Sequence, residues 1–474
     1  MIKTAYDAII VGSGPNGFAA AITLQQQGLS TLLIEGASTV GGGMRTKELI
    51  MSGYRHDVCS AIHPMALASP FMQSIPLSAF GLTFKHAKYE AAHPLLHAQG
   101  AVLHRDIELM INELGEDALY YQSLIRPLVE GWDELAKQIL GPLRIPDSPM
   151  SLARFGIKAL QSASRVAEKF KSSKARALWA GMAAHGIQPL EKSTTAAVAM
   201  VLLAVGHKYG WAIPMGGSQS IASAMEKYYE SIGGTVQTDH WVTDIDALPN
   251  HKCLLLDMTP HQILSLKGLN LTSGYAKQLQ RYRQGMGVFK IDWALSDITP
   301  FTDMRAREAS TVHLGNTFEH IALGEKLTQQ GQMYDKPYIL FTQPSVYDPS
   351  RAPKDKHVGW AYCHVPNGSN LDYTSIIEKQ MELYAPGFRD TIIDRHTFTA
   401  QQMEQYNPNY VGGDINGGLM DLSQLYTRPT LSLTPYRTSN KAVYICSSST
   451  PPGGGVHGMC GYHAASTALK DIFQ

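Results

Sequence analysis

The feature that most constrains this chain is a glycine-rich segment directly after its first apolar run. Residues 6–11 have the composition of a buried strand, and Gly12-Ser13-Gly14-Pro15-Asn16-Gly17 follows at once. In this pattern Gly12 permits the tight turn from strand to helix, and Gly14 lets the backbone approach a pyrophosphate. Gly17 lets the next helix, predicted over residues 18–27, pack on the strand with its N-terminus facing the phosphates. The segment therefore predicts a dinucleotide-binding βαβ unit.

Two further features at the N-terminal end agree with this prediction. A second strand, predicted over residues 31–34, is followed by Glu35, at the spacing of a carboxylate that hydrogen-bonds a ribose hydroxyl and disfavours a 2′-phosphate. The loop Gly41-Gly42-Gly43-Met44-Arg45 indicates a second close approach of backbone to the cofactor. Arg45 is placed there to neutralise phosphate or to fix the loop.

The C-terminal end contains a second glycine loop before a helix. A strand is predicted over residues 441–447, a loop over 448–458 and a helix over 459–473. Gly453, Gly455 and Gly458 repeat the G-x-G-x-x-G spacing, but too few residues follow for another complete βαβ unit. A helix N-terminus behind a glycine loop suits an isoalloxazine ring, because reduced flavin is negative near N1 and backbone N–H groups stabilise that charge.

Motifs along nearly the whole chain resemble the phytoene desaturase-related flavoproteins of the amine-oxidase and GDP-dissociation-inhibitor fold group. Besides the segments above, they are Tyr54-Arg55-His56-Asp57, His63-Pro64, Met215-Gly216-Gly217-Ser218, Lys290-Ile291-Asp292-Trp293-Ala294-Leu295 and the tail from Pro452 to Gly461. The resemblance implies FAD, bound extended with its adenine near Glu35 and Val242 and its flavin under residues 454–459. Pro451 departs from the pattern, since many relatives have His before Pro-Gly.

The expected fold class is α/β, a Rossmann-like FAD-binding domain with a discontinuous α+β substrate domain of mixed sheet and helical cap. The FAD-binding domain is predicted over residues 1–70, 205–262 and 430–474, and the substrate domain over 71–204 and 263–429. Two short strands are predicted around 94–103, and further strands at 235–238, 241–245, 285–295, 310–315, 338–343 and 358–364. Helices are predicted at 106–114, 119–140, 151–185, 216–232 and 375–384. The predicted cofactor-binding residues are Gly12, Ser13, Gly14, Pro15, Asn16, Gly17, Glu35, Gly36, Gly42, Gly43, Met44, Arg45, Val242, Ser448, Gly454, Gly455, Val456, His457, Gly458 and Met459.

Composition bears on partners and compartment. The formal net charge is zero, which gives no reason to predict a nucleic-acid partner. Five cysteines are scattered without C-x-x-C spacing, and the histidines lack H-E-x-x-H, so neither a disulfide framework nor a metal site is predicted. The first strand begins close to the N-terminus, without the pattern of a signal peptide, so the expected location is cytoplasmic.

One segment is strongly basic. Residues 151–178 carry seven Lys or Arg residues against the single acid Glu168, with apolar residues interleaved, and are predicted to form a basic amphipathic helix. Such a helix either lies on an anionic membrane or packs on its own domain with a solvated basic face. The first alternative would make the protein peripheral to a membrane.

The expected reaction is hydride transfer from an apolar substrate to flavin N5. The resemblance implies desaturation, saturation or isomerisation of carbon–carbon bonds in a polyene or other isoprenoid. His457, inside the flavin loop, and His63, after the first glycine loops, are the candidate catalytic residues. The lack of a second complete dinucleotide unit favours reoxidation by oxygen, a quinone or another diffusible acceptor. Two alternatives stay open: amine oxidation, or a non-catalytic carrier of lipids or prenylated proteins with the same fold.

Overall fold

Two sheets organise the chain, which a computed structural model describes over residues 2–146, 149–425 and 427–474. The first, here called the nucleotide sheet, has five parallel strands. Their order across the sheet is Val443–Ile445, Asn250–Leu256, Ala5–Val11, Thr31–Ile34 and Thr235–Gln237. This Rossmann-like sheet and a separate mixed sheet confirm the predicted α/β fold class.

The nucleotide sheet is apolar on both faces because helices cover both. Ile10 packs in one cluster with Phe18 of the helix Pro15–Gln25, whereas its neighbour Ile9 packs on the opposite face with Ile263. Alternation of side chains along a strand explains why a fully covered parallel strand reads as a continuous apolar run. The strand and helix predictions at residues 6–34 are confirmed, with the helix beginning at Pro15 rather than residue 18.

The two ends of the chain meet on this sheet. The C-terminal helix, Met459–Ala468, crosses the fingerprint helix Pro15–Gln25 so closely that a Cβ on Gly461 would lie 1.8 Å from the carbonyl oxygen of Asn16. Only glycine fits such a crossing. The contact brings the glycine loop before the C-terminal helix to the same end of the sheet as Gly12 and Gly14.

The second sheet, here called the substrate sheet, is mixed and has seven strands. Their order is Ile392–Phe398, Gly287–Leu295, His357–Val365, Ile339–Thr342, Val312–Leu314, Ala91–His93 and Ala101–Leu103. Val312 pairs with Ala92 in the one parallel step among these described strands, and the other pairs are antiparallel. Two short antiparallel ladders join Thr46–Lys47 to His56–Asp57 and Phe84–Lys85 to Ile213–Pro214.

Helices surround the two sheets. The helical layer between residues 107 and 208 comprises Ile107–Leu114, Ala118–Glu130, Trp132–Ile139, Pro149–Ala159, Ala163–Ala167, Ser173–Ala184 and Thr195–Lys208. The remaining α-helices are Pro64–Ala68, Pro70–Gln73, Gln219–Ser231, Pro260–Ser265, Ser273–Gln280, Met304–Arg307, Phe318–Gln329, Thr374–Tyr384, Ala400–Tyr406 and Leu422–Leu425.

Several predicted elements differ from the structure. The two short strands predicted around 94–103 lie at Ala91–His93 and Ala101–Leu103, and the predicted helix over 119–140 is divided at Gly131 into Ala118–Glu130 and Trp132–Ile139. The predicted helix over 151–178 is three helices, because Ser162 and Ser172 each accept a backbone hydrogen bond as the N-cap of a new one. The strand predicted over 241–245 is absent from the described chain, because the segment bonds to loops: the amide of Lys267 donates to the carbonyl of Thr243. The strand Asn250–Leu256, which pairs directly with the first strand, was not predicted.

Candidate functional site

One cavity of about 330 Å³ reaches both sheets. Its nucleotide end lies at the carboxyl ends of parallel strands, where Val11 ends the first strand and Asp257 follows Asn250–Leu256. Open parallel sheets bind ligands at this edge. Its other end is lined by residues of the helical layer and of the substrate sheet, so the cavity joins two chemically different environments.

Most of the predicted cofactor residues lie on the wall of this cavity. They are Gly12, Ser13, Gly14, Pro15, Asn16, Glu35, Gly36, Gly42, Gly43, Arg45, Val242, Ser448, Gly455 and Val456. The others, Gly17, Met44, Gly454, His457, Gly458 and Met459, lie behind the wall within the described structure. Their assignment to the cofactor stays a prediction.

The carboxylate of Glu35 is held by four groups. Its Oε2 accepts from the amide and the hydroxyl of Ser13 at 3.1 and 2.5 Å, and its Oε1 accepts from the amide of Ala37 at 2.9 Å. The guanidinium of Arg45 lies 2.9 Å from Oε1, and its Nε donates to the carbonyl of Thr39.

Asp257 is a second carboxylate at this end, and the sequence analysis did not single it out. Its Oδ2 accepts from the amide of Gly17 at 3.0 Å, at the N-terminus of the fingerprint helix. Burial raises the pKa of Asp257 to about 7, and the nearby charge of Glu35 acts in the same direction. The signal that could have found it is the apolar run 253–256 ending in an acid, the same pattern that identified Glu35.

The nucleotide end has the shape that a dinucleotide requires. A Cβ on Gly14 would lie 2.6 Å from Oδ2 of Asp257, and a Cβ on Gly42 would lie 3.0 Å from the Cα of Gly14, so the two glycine loops are in contact. The helix Pro15–Gln25 has no acidic residue in its first turn and no side-chain cap at Gly14. The dipole and N–H groups of a helix N-terminus attract phosphate oxygens. These residues fit a pyrophosphate that lies beside the carboxyl group of Asp257, to which the amide of Gly17 already donates.

The part of the cavity wall near Glu35 was only partly identified from the sequence. Val242 lines the cavity as expected, and the indole of Trp241 covers Gly36, where a Cβ would lie 2.1 Å from its Cε3. Trp241 is 56% exposed, so one ring face is free for a ligand. A tryptophan shortly after the turn at 233–234, in a segment that returns to Glu35, is a signal that the sequence does not show by itself, because Trp241 and Glu35 meet only in the folded chain.

The tail loop reaches the cavity through two residues. Gly455 and Val456 line it, and Gly455 has φ of +128°, a conformation that L side chains rarely adopt. Gly454 packs on the backbone of Asn416, where a Cβ would lie 2.8 Å from the carbonyl oxygen. The helix Met459–Ala468 begins directly behind this loop.

His457 lies behind the wall rather than on it. Its Nδ1 accepts from the amide of Met459 at 3.0 Å, and the hydroxyl of Ser69 donates to its backbone carbonyl. Burial lowers the pKa of His457 to about 4, so the imidazole is neutral at physiological pH. The geometry gives His457 the role of capping the C-terminal helix, while a catalytic role stays a prediction.

His63 lines the cavity, as the sequence analysis expected. Its Nε2 lies 2.7 Å from the hydroxyl of Ser218, which itself donates to the carbonyl of Ser60. Since the Ser218 proton is used in that bond, Nε2 of His63 donates, and Nδ1 accepts from the hydroxyl of Ser60, 3.2 Å away. Burial lowers the pKa of His63 to about 4, which leaves a neutral, fixed imidazole in the wall.

The far end of the cavity, here called the substrate compartment, is mostly apolar and aromatic. Its wall comprises His185, Ile187, Leu202, Trp211, Thr311, Leu340, Trp360 and Tyr362. The rings of Trp360 and Tyr362 are 5.4 Å apart at 88°, which is an edge-to-face pair rather than two parallel faces. The charged wall residues in the described structure, Glu35, Arg45 and Asp257, all lie at the nucleotide end.

The loop at residues 407–410 closes the cavity from the substrate domain and was not predicted to be part of the site. Asn409 accepts from the amide of Thr259 at 2.9 Å and donates to the carbonyl of Asp257 at 3.1 Å. A Cβ on Gly43 would lie 2.6 Å from the hydroxyl of Tyr410. Residues 407–418 are rich in Gly and Asn, a composition that predicts only a loop, and the partners of this stretch are far away in the chain.

Three further findings concern cysteines, metals and membranes. All five cysteines are free thiols. Over residues 2–146, 149–425 and 427–474, no three His, Cys, Asp or Glu side chains are grouped as metal ligands. Within those same ranges, no helix combines the length and the apolar composition that crossing a bilayer requires.

Comparison with known proteins agrees with the geometry. A family model of the NAD(P)-binding Rossmann-like domain matches residues 10–72. The chain has a Rossmann-type dinucleotide-binding domain. It is 22% identical to pyridine nucleotide-disulfide oxidoreductase domain-containing protein 2 of Rattus norvegicus, covering 99% of this chain and 94% of that protein. It is 20% identical to a limonene dehydrogenase subunit of Castellaniella defragrans, covering 98% of this chain and 95% of that protein.

Among solved structures, putrescine oxidase bound to putrescine superposes with a TM-score of 0.61 at 16% identity, covering 99% of both chains. This likeness extends over both sheets and shows that the chain shares the fold of that oxidase.

Proposed function

We propose that this protein is an FAD-dependent oxidoreductase that acts on carbon–carbon bonds of a neutral, apolar, isoprenoid-like substrate, as in the phytoene desaturase-related flavoproteins. The observation that carries the proposal is the single cavity with a charged nucleotide end and an uncharged, apolar substrate compartment. The similarity to the limonene dehydrogenase subunit supports a hydrocarbon-like substrate for this chain.

The residues present fit FAD. Glu35 and Trp241 would hold the adenosine half, and Gly12, Gly14 and the fingerprint helix would hold the pyrophosphate. Gly455, Val456 and the helix behind them would lie against the flavin, which supplies a hydride acceptor at N5 when bound. A polar protein backbone at that position stabilises negative charge on the reduced ring.

The chain's own residues prepare the reaction by excluding water and orienting the substrate. Leu202, Trp211 and Leu340 surround the reacting carbon atoms with apolar surface. His63 is neutral and fixed by Ser218, so we propose that it orients the substrate rather than gaining or losing a proton at physiological pH. We propose non-covalent FAD, because burial raises the pKa of Cys460 to about 12 and keeps that thiol protonated.

Amine oxidation is the alternative within the same fold. Putrescine oxidase shares the architecture, but the compartment of this chain carries neither a carboxylate nor a pair of parallel aromatic faces within its described wall. An ammonium group would therefore lose its hydration without a compensating charge. The uncharged wall of the compartment therefore favours an uncharged substrate.

The test is anaerobic flavin reduction followed by absorbance. FAD-loaded protein is mixed with neutral isoprenoids such as limonene and retinol, and separately with putrescine and cyclohexylamine. We expect loss of the flavin band with a neutral isoprenoid and none with the amines. Reduction by the amines alone would contradict the proposal, and a colourless protein that cannot take up FAD would favour the carrier.

We also propose that the protein attaches peripherally to anionic membranes through the helix Pro149–Ala159. Although the predicted single helix is divided, this helix exposes apolar and basic residues together: Met150 and Ile157 are 74% and 68% exposed, and Arg154 is exposed beside them. Ile145, just before the helix, is 92% exposed. Phe155, by contrast, is buried, so it anchors the helix to its own domain. Exposed apolar groups next to basic ones suit an anionic lipid surface.

Vesicle co-sedimentation tests the membrane proposal. Binding to anionic vesicles should weaken with rising salt, because headgroup attraction is screened over a Debye length of about 8 Å at physiological ionic strength. Ile157→Glu should abolish binding, while the matched exposed change Leu323→Glu, on the helix Phe318–Gln329, should not. Absence of binding to anionic vesicles at low salt would leave the helix as a solvated surface.

A further inference from the structure

A pair of histidines stands at the wall of the substrate compartment. His185 ends the helix Ser173–Ala184 and lines the cavity, and His313 lies behind it on the substrate-sheet strand Val312–Leu314, fully buried. The two Nε2 atoms are 3.1 Å apart. Burial lowers the pKa of His185 to about 3 and that of His313 well below its usual value, so both rings are neutral.

The hydrogen-bond partners assign the protons of this pair. Nδ1 of His313 is buried and has no partner in the described chain. A buried N–H without an acceptor is costly and rare, so the His313 proton is on Nε2 and is donated to Nε2 of His185. His185 then carries its own proton on Nδ1, which makes no hydrogen bond to any described residue. The pair therefore presents one N–H donor at the cavity wall.

A hydroxyl group lies on the same wall. Thr311 lines the cavity and is 1% exposed, and its Oγ1 has no hydrogen-bond partner among the residues described. Thr311 and His313 are two residues apart at one strand, so their side chains are on the same face of the sheet. Two unsatisfied polar groups in an otherwise apolar compartment indicate a polar atom of a ligand.

The helix beside the pair is shaped around it. A Cβ on Gly181 would lie 2.6 Å from Nδ1 of His313 and 2.8 Å from Nδ1 of His93. Glycine in a helix interior is normally unfavourable. Here it makes room for the imidazole that orients His185.

We propose, resting on the function proposed above, that the substrate is a neutral apolar molecule with one oxygen function, which accepts a hydrogen bond from Nδ1–H of His185 and contacts the hydroxyl of Thr311. An alcohol, aldehyde or ketone satisfies both groups. An ammonium group would meet the N–H of His185 donor against donor, and a carboxylate would be buried without a cation. His185 is then a substrate-binding residue, and His313 is its positioning residue.

The test compares four ligands with one carbon skeleton, by calorimetry on FAD-loaded protein: limonene, perillyl alcohol, perillyl amine and perillic acid. Flavin absorbance is measured first, so that a failure of FAD loading, which would count against the proposed function, is separate from the outcome here. Perillyl alcohol should bind about fivefold to tenfold more tightly than limonene, the order of one hydrogen bond. The amine and the acid should bind more weakly than limonene.

Variants test whether His185 and His313 cause the preference for perillyl alcohol over limonene. In His185→Leu the advantage of the alcohol over limonene should fall to about twofold or less, with limonene affinity retained. His104→Leu, a partly buried histidine away from the cavity wall, should keep the wild-type ratio. Gly181→Ala should lower the ratio as His185→Leu does, while Gly156→Ala, a helix glycine with open space around it, should not. His313→Gln, which keeps an N–H donor, should retain more of the preference than His313→Leu.

Four outcomes would overturn the proposal. The alcohol and limonene could bind with equal affinity, or the amine or the acid could bind more tightly than limonene. All four ligands could fail to bind, or His185→Leu could keep the wild-type ratio.

Discussion

The two ends of the cavity differ in how they compensate polar groups. At the nucleotide end the polar groups are charged and paired: the carboxylate of Glu35 accepts three hydrogen bonds and lies 2.9 Å from the guanidinium of Arg45. In the substrate compartment they are neutral and partly unsatisfied, as in His185 and Thr311. A site with paired charges binds a polar, charged ligand, whereas neutral groups in an apolar wall select by the cost of desolvating a wrong ligand. This difference is our reason for proposing that the cofactor binds at one end and the substrate at the other.

The largest effect is expected from bulk at the nucleotide end. In Gly14→Val the new side chain would stand within 2.6 Å of Asp257 and fill the approach to the pyrophosphate, so FAD binding should be lost. Gly274→Val, at a glycine with open space around it, is the matched control and should keep FAD. Flavin content of the purified variants is the measurement. Full occupancy in a folded Gly14→Val protein would remove the fingerprint from the site.

A polar substitution in the substrate compartment should affect substrate binding and leave FAD binding unchanged. Leu202→Asn places an amide among apolar groups, so affinity for limonene should fall by about tenfold or more while FAD content stays at the wild-type level. Leu202→Met, which conserves volume, should change limonene affinity little. Loss of FAD together with limonene binding in Leu202→Asn would mean that the two ends are not independent.

Glu35→Ala should weaken FAD binding at the nucleotide end less than Gly14→Val does. Losing a charge-assisted hydrogen bond to ribose should weaken FAD binding by roughly 1 to 3 kcal/mol. The variant also leaves the guanidinium of Arg45 without the carboxylate that now lies 2.9 Å away. Equilibrium titration of the apoprotein with FAD measures the change. An unchanged dissociation constant would exclude Glu35 from the cofactor site.

The raised pKa of Asp257 predicts that FAD affinity depends on pH. Its pKa is about 7, and the negative pyrophosphate disfavours the ionised carboxylate further, so FAD binding takes up a proton. FAD affinity should therefore fall as pH rises, by about tenfold between pH 6 and pH 8. Asp257→Asn should flatten this dependence. Because burial raises the folded pKa above 3.8, the ionised group destabilises the protein increasingly from about pH 4 to pH 7, so the Asn variant should also be more stable at pH 8. A steep, unchanged pH profile in Asp257→Asn would assign the proton to another group.

The smallest effect is expected for His457. Since its imidazole accepts from the amide of Met459 behind the wall, His457→Ala should cost about 1 kcal/mol of stability, the order of a lost helix cap, and leave the rate of flavin reduction unchanged. Thermal unfolding and anaerobic stopped-flow absorbance measure the two quantities. A slowed reduction with unchanged stability would instead support the catalytic role that the sequence suggested.

The nucleotide end could be predicted from sequence because its parts are adjacent in the chain. Strand, glycine turn, helix, second strand and Glu35 occupy residues 5–35, and each carries its own local signal. The strand Asn250–Leu256 was missed although its apolar run is visible, because nothing local shows that it pairs with the first strand. Ser162 and Ser172 carried cap signals that overrode the basic amphipathic pattern of residues 151–178.

The substrate compartment could not be predicted, because its residues meet only in the folded chain. His185 and His313 are 128 positions apart, and neither carries a motif. Asn409 likewise gains its place in the site from contacts with Thr259 and Asp257. The domain boundaries derived from the sequence stay a prediction.

FAD binding at the nucleotide end is tested most directly by reconstitution, with flavin absorbance as the readout. Apoprotein is incubated with FAD or with NAD⁺, desalted, and the bound nucleotide is released by acid and identified. We predict one FAD per chain, released intact, and no retained NAD⁺. A protein that stays colourless, or that retains NAD⁺ in place of FAD, would contradict it.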